Sequence, residues 1–154
     1  MIITLDVHHQ FEVETPYENV YSLLSDIPAS ASHFPNLQQI IQLDELSFRW
    51  ELNPVGPAPY TTQPVFACMY TFTPEEGKIE WAPIRDIGNV ALSGYWKIED
   101  HHGRCKVQLW MKGDLDVPIP SLMKFVAKPL ITEEFKNYIQ QYVENIHKTL
   151  SENE

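Results

Sequence analysis

Alternation of apolar and polar residues is the clearest pattern at the start of the chain. Over residues 3–13 the odd positions are mostly apolar and the even positions are polar. This period of two predicts a strand with one buried face and one solvent-exposed face. The odd positions are Ile3, Leu5, Val7, His9, Phe11 and Val13.

Residues 15–18 predict the start of a helix. Thr15 suits the N-cap position, Pro16 suits the first helical position, and Glu18 would complete a capping box. Apolar residues continue at helical spacing to Leu24, and Pro28 predicts the end of this helix. A short second helix or turn is expected before residue 35.

Six further apolar segments predict strands near residues 37–43, 46–52, 65–73, 78–84, 90–99 and 104–117. Four prolines between residues 54 and 64 forbid a central strand there. Apolar residues then recur every three or four positions up to Leu150, which predicts a long amphipathic helix. Its start is expected near Ser121 or Thr132, because Pro129 either kinks the helix or marks its first turn.

This order of elements predicts an α+β fold. A curved seven-stranded antiparallel sheet would wrap around the long C-terminal helix, with two short helices after the first strand. The length of 154 residues suggests one domain over residues 1–150, and residues 151–154 would form a frayed polar tail.

The two ends of the predicted sheet differ. Successive connections of an antiparallel meander alternate between the ends, so the short polar turns near residues 44–45, 74–77 and 100–103 share one end. The other end, called here the mouth end, collects the connections at residues 53–64, 85–89 and 117–121. These connections are longer or contain Pro and Gly, so we expect any cavity to open there.

The amino-acid composition indicates which kinds of binding partner and which cellular location to expect. The net charge is −10, with 21 acidic against 11 basic residues, which disfavours nucleic acid as a partner. No stretch is long and apolar enough to predict a spanning helix. Cys68 and Cys105 are expected to be buried free thiols, and the first residues do not resemble a signal peptide. These features together predict a cytoplasmic protein.

Three segments carry a family resemblance. The sequence F-E-V-E-T-P-Y-E-N-V-Y-S-L-L-S-D-I over residues 11–27, H-F-P-N-L over residues 33–37 and G-Y-W-K-I over residues 94–98 resemble the START-like, or SRPBCC, superfamily. That group includes polyketide cyclase-like and birch pollen allergen-like proteins, and H-F-P-N-L also resembles a subgroup from phototrophs. The resemblance covers essentially the whole chain.

The resemblance implies a helix-grip fold with a hydrophobic cavity between the sheet and the long helix. In plant hormone receptors of this superfamily, two loops at the mouth act as gate and latch. Residues 53–64 and 85–89 match those loops in position but not in sequence, so gating is not carried over.

The candidate chemistry is sparse. Adjacent histidines such as His8 and His9 point to opposite faces of a strand, so no metal site is expected. No phosphate-binding loop or nucleophile motif is present, and no cofactor is predicted. His9 is the one histidine on an apolar strand face, where it could contact a ligand, although a satisfied core histidine is the ordinary alternative.

The favoured function is therefore binding or transport of a hydrophobic small molecule such as a lipid, an isoprenoid or an aromatic polyketide. A cyclase- or aromatase-like enzyme using His9 and Tyr70 is the alternative, and no catalytic residue is assigned. The candidate ligand-binding residues are His9, Phe48, Trp50, Tyr70, Trp81, Arg85, Trp96, Met111, Tyr138 and Tyr142.

A third hypothesis concerns the apolar segment at residues 115–126. If exposed, it would dock on a membrane surface or a protein partner, with Lys124 and Lys128 beside it. Packing beneath the C-terminal helix is the ordinary alternative. The sequence is compatible with peripheral membrane contact and with a homodimer, and it does not decide between them.

Overall fold

The computed structural model describes residues 1–152. The strands and helices follow one another in the order that the sequence predicts. They are β1 (Ile2–Val13), α1 (Tyr17–Ser25), α2 (Ile27–Ala31), β2 (Leu37–Asp44), β3 (Ser47–Leu52), β4 (Val65–Thr73), β5 (Lys78–Gly88), β6 (Val90–Asp100), β7 (Cys105–Asp116) and α3 (Lys124–Ser151).

One antiparallel sheet contains the seven strands of the described residues, in the spatial order β1-β7-β6-β5-β4-β3-β2. The predicted α+β class, the curved seven-stranded sheet and the long C-terminal helix are confirmed. Strands β2 to β7 form a continuous meander, and β1 adds to its free edge by pairing with β7 along its whole length.

The predicted alternation decides which face of β1 is buried. Ile3, Val7 and Val13 point into the core, while the residues between them are mainly exposed. Helix α3 supplies the opposite side of that core, because its apolar stripe is buried against the sheet. The stripe comprises Ala127, Ile131, Phe135, Ile139, Tyr142, Val143, Ile146 and Leu150.

The meander also fixes which connections share an end of the sheet. The turns between β2 and β3, between β4 and β5, and between β6 and β7 lie at one end. The connections at residues 53–64, at residue 89 and at residues 117–123 lie at the mouth end. Asn89 ties two of its strands together, since its side chain accepts from the Val65 N–H and its carbonyl accepts from the Asp116 N–H.

The predicted capping box at α1 is wrong. Pro16 occupies the N-cap position, and no side chain within residues 1–152 caps this helix. Thr15 is fully buried instead, and its hydroxyl donates a 2.6 Å hydrogen bond to the Leu150 carbonyl near the end of α3. This bond joins the start of α1 to the end of α3, where helical carbonyls lack partners of their own.

Replacing Thr15 by Val should therefore lower the free energy of unfolding by about 1–3 kcal/mol, because the isosteric side chain cannot donate to Leu150. Urea denaturation measures this change. Thr4→Val is the matched control, because the Thr4 hydroxyl donates to Asp114 at an exposed site. We expect the control to stay within about 0.5 kcal/mol of the wild type; equal losses would contradict a special role for Thr15.

Helix α3 begins near the earlier of the two predicted starts. A 3-10 turn over Ser121–Met123 leads directly into it, and Pro129 lies inside the helix. Because proline has no N–H, the Phe125 carbonyl loses its usual helical donor. One backbone hydrogen bond is therefore missing between the first turns of α3 and the rest of the helix. Ser151 is the last helical residue, and residues 153 and 154 of the predicted frayed tail lie outside the described residues.

No helix within residues 1–152 has the length and apolar character needed to cross a membrane.

Candidate functional site

An interior cavity lies between the concave face of the sheet and α3. Side chains from all three helices and from six of the strands line it, and most of its surface is apolar. The centre of a water molecule could occupy a volume of about 60 Å³ inside this cavity. Since one water molecule needs roughly 10–15 Å³ by that measure, the space exceeds an ordinary packing defect.

The strand register places this cavity toward the mouth end. Ile3, Leu115 and Val90 are consecutive cross-strand partners, and the next row is Leu5, Gly113 and Leu92. Both rows line the cavity and both lie near the mouth-end connections. Although they face inward, Leu5, Val90 and Leu92 are only partly buried. This geometry is consistent with the prediction that the cavity opens at the mouth end.

Gly113 lines the cavity and Gly94 packs against the lining residue Trp81, and sequence reasoning identified neither glycine as part of the site. Gly113 leaves space beside Leu92, whose Cδ1 would lie 2.9 Å from a Cβ at that position. Gly94 is the register partner of Trp81, and a Cβ there would lie 2.7 Å from Trp81 Cζ2. A glycine inside an alternating strand is the signal that could have found them, since it marks close approach or missing side-chain volume.

Few polar groups reach the cavity, and most are paired with each other. Trp50 Nε1 donates to the Tyr70 hydroxyl at 3.1 Å. The hydroxyls of Ser30 and Tyr142 lie 2.5 Å apart. Trp81 Nε1 is buried and has no hydrogen-bond partner among the described residues.

The cavity wall is uncharged in the described part of the chain, since no Asp, Glu, His, Lys or Arg lines it. Burial raises the pKa of the Tyr70 hydroxyl well above its ordinary value. Burial also raises the pKa of Tyr142, and hydrogen bonds with Ser30 and Trp96 only partly oppose this. Both phenols therefore stay neutral at physiological pH, as donors and acceptors rather than acids or bases.

Six of the ten predicted ligand-binding residues line the cavity together. They are Trp50, Tyr70, Trp81, Trp96, Met111 and Tyr142. Phe48 lies outside its lining, buried edge-to-face against Tyr70. The other three candidates are also placed elsewhere by the structure.

His9 is half-buried and does not line the cavity. Burial lowers the pKa of its imidazole, and nearby Glu144 on α3 opposes this. Arg85 is exposed, because β5 leaves regular pairing between Pro83 and Gly88, with Asp86 at a φ of 70°. Arg85 therefore does not line the cavity, although it was a candidate ligand-binding residue.

Tyr138 belongs to a contact between α3 and the proline-rich connection. Its hydroxyl donates to Glu134 Oε1 at 2.5 Å, and Glu134 Oε2 accepts from the Gly56 N–H at 3.3 Å. Burial, together with the bond to Glu134, raises the pKa of Tyr138 to about 12. Glu134 thus fastens one mouth-end connection to the helix.

The sequence-based selection also missed much of the aliphatic wall. Aromatic side chains drew attention, whereas helices α1 and α2 contribute through small or aliphatic residues. Their spacing indicated burial but not which buried residues border empty space. Examples are Leu24 on α1 and Ile27 and Ser30 on α2, and the selection also missed Phe34, Phe135 and Ile139.

A surface of exposed apolar side chains lies beside the mouth end. It consists of Leu122, Phe125, Val126 and Leu130, and is called here the α3 apolar surface. Leu122 is 93% exposed and Phe125 is 89% exposed. The preceding residues, Leu115, Val117 and Ile119, are buried. The predicted apolar segment is thus divided into a buried first half and an exposed second half.

Comparison with known proteins identifies the fold. No family model matches the chain, and no curated protein sequence matches it. Solved protein structures do match it. A protein from Deinococcus radiodurans is 16% identical with a TM-score of 0.65, and the alignment covers 97% of this chain and 98% of that chain. A START superfamily protein from Mycobacterium smegmatis is 16% identical with a TM-score of 0.61, covering 94% and 98%.

The Zhui aromatase/cyclase from Streptomyces sp. R1128 is also similar, at 17% identity and a TM-score of 0.52, with 97% of this chain and 89% of that chain covered. These likenesses extend over nearly the whole chain. The protein has the START-like fold, as the resemblance implied. At such identities the comparison establishes the fold and not the activity.

Proposed function

On the premise of this fold, we propose that the protein binds a neutral hydrophobic small molecule in the cavity. The observation that carries the proposal is the cavity itself, an interior space with an apolar wall and a few polar groups. Ligand sites typically have this composition, because apolar contact supplies affinity while a few hydrogen bonds fix orientation. A lipid, an isoprenoid and an aromatic polyketide all belong to this class.

The residues favour binding over catalysis. Cyclisation by general acid–base chemistry would need a titratable group in the cavity. Of the two predicted candidates, Tyr70 lines the cavity but has a raised pKa, and His9 lies outside the cavity lining. Although one similar structure is an aromatase/cyclase, its activity is a property of that protein.

Isothermal titration calorimetry with 2-acetylnaphthalene tests the proposal. We expect one molecule to bind per chain, with a negative heat-capacity change because apolar surface is buried. Binding that is absent, or that shows many equivalent weak sites, would contradict it.

Docking on a membrane is a second candidate function, favoured by the exposure of the α3 apolar surface. Large contiguous apolar side chains on a protein surface mark interaction sites. Lys124 and Lys128 lie within the same turns and would meet anionic lipid headgroups despite the overall negative charge. Docking there would bring the mouth end of the cavity against the lipid.

Co-sedimentation with phosphatidylcholine vesicles containing about one fifth phosphatidylserine tests docking. Leu122→Ser combined with Phe125→Ser should weaken vesicle binding at least about tenfold, because two inserted side chains are lost. Ile41→Ser with Leu43→Ser, on exposed apolar residues of β2, is the matched control and should bind normally. Vesicle binding that is unchanged in the Leu122→Ser, Phe125→Ser variant would contradict docking. Docking would also be contradicted if this variant lost a dimer of the protein but still bound vesicles.

A further inference from the structure

Two buried hydrogen-bond donors lie side by side in the cavity wall. Trp81 on β5 and Tyr70 on β4 are direct register partners, and their ring centroids are 5.9 Å apart. Trp81 is only 7% exposed, and no described residue accepts a hydrogen bond from its Nε1. Tyr70 accepts from Trp50, but the described residues offer no acceptor for its own hydroxyl hydrogen.

The unpaired indole distinguishes Trp81 from the other tryptophans. Trp50 donates to Tyr70 and Trp110 donates to Asp6, while the Trp96 ring lies edge-on to Tyr142 at 5.9 Å between centroids. Buried indole N–H groups normally find such a partner, because an unpaired donor loses its bond to water without replacement. Because Trp81 lines the cavity, its unpaired N–H is a donor for which an occupant can supply the acceptor.

The indole is also held firmly in place. It packs against Gly94 of the neighbouring strand, where even a methyl group would come within 2.7 Å of Cζ2. A donor fixed before binding loses little conformational freedom when the ligand arrives. The ring is therefore suited to select one ligand group rather than to fill space alone.

The rest of the wall defines the chemistry of that group. A carboxylate or phosphate would be buried without a counter-ion, because no Lys, Arg or His among the described residues lines the cavity. A ligand hydroxyl is itself a hydrogen-bond donor, and it would lie beside the Trp81 and Tyr70 donors, which both need an acceptor. A neutral oxygen that only accepts hydrogen bonds, such as a carbonyl, suits both Trp81 and Tyr70.

Building on the proposed function, we propose that the cavity selects a neutral apolar ligand carrying a carbonyl oxygen. That oxygen accepts a hydrogen bond from Trp81 Nε1, and the Tyr70 hydroxyl is the second donor beside it. This specificity goes beyond general hydrophobic binding, since a hydrocarbon of the same shape would leave the indole unpaired.

Two probes of the same shape test the selection. In 2-acetylnaphthalene a carbonyl oxygen occupies the place of the terminal CH₂ group of 2-isopropenylnaphthalene. By calorimetry, we expect the wild type to bind the ketone roughly three- to tenfold more tightly than the alkene. Trp81→Phe should remove this preference. Trp110→Phe, which deletes an indole that donates to Asp6 on the outer face, should keep it.

Nuclear magnetic resonance of the wild type gives a second measurement that does not depend on the folding of any variant. Of the four indole N–H signals, that of Trp81 should move downfield with the ketone and not with the alkene. Equal affinity for both probes, with no such movement, would overturn the carbonyl inference and leave the proposed function standing. Failure of both probes to bind would overturn the inference and the proposed function together.

Discussion

Replacing Gly94 by Ala should destabilise the protein by about 3 kcal/mol, because the added methyl group meets atoms that cannot easily move. A Cβ at this position would lie 2.2 Å from the Trp110 carbonyl oxygen and 2.7 Å from Trp81 Cζ2. The first is a backbone atom of the adjoining strand, so the clash cannot be relieved by turning one side chain. The sheet must separate locally or the indole must leave its place.

The sign of this effect is informative, because glycine inside a strand ordinarily costs roughly 0.5–1 kcal/mol relative to alanine. Gly113→Ala is the matched control, since its Cβ would meet chiefly the flexible end of Leu92 at 2.9 Å. Urea unfolding should show a large loss for Gly94→Ala and a small change for Gly113→Ala. Similar values for the two variants would contradict the proposed role of Gly94 in seating Trp81.

Replacing Gly113 by Leu should weaken binding of 2-acetylnaphthalene by at least about tenfold, or 1.4 kcal/mol. Gly113 lines the cavity between Leu5 and Leu92, so a leucine side chain would occupy space that the ligand needs. Calorimetry measures the loss, and circular dichroism checks that the variant is folded.

The control for Gly113→Leu is Lys112→Leu, which adds the same side chain one residue away. Lys112 is exposed, because neighbouring strand residues face opposite sides of the sheet. We expect Lys112→Leu to bind the ketone like the wild type. A folded Gly113→Leu protein with wild-type affinity would show that the ligand binds elsewhere.

The sequence predicted the fold well because the governing patterns are local. Alternation identified each strand, and the meander then determined which connections share an end. The capping error at Thr15 has a clear cause. The Thr-Pro-x-Glu pattern favours a local cap, whereas the actual partner is the Leu150 carbonyl, 135 residues away. No local pattern reports a bond of that kind.

The candidate site was predicted only in part, for a different reason. Alternation shows which side chains face inward but not where along a strand the interior is filled. His9 and Phe48 face inward yet lie outside the cavity lining, while Leu5 and Gly113 border open space. Arg85 was expected in a mouth-end connection, but it belongs to an irregular part of β5 and its side chain is exposed. Cavities depend on packing between distant segments, which periodicity does not encode.

The central claim is that this cavity holds a neutral apolar molecule in the cell. Native mass spectrometry of the protein purified from its own organism tests it most directly, with Gly113→Leu isolated in parallel. We expect the wild type to carry a non-covalent adduct that organic solvent extracts, that contains a carbonyl group, and that is missing from the variant. A wild-type protein that is consistently free of any adduct, or an adduct carried equally by Gly113→Leu, would contradict the account.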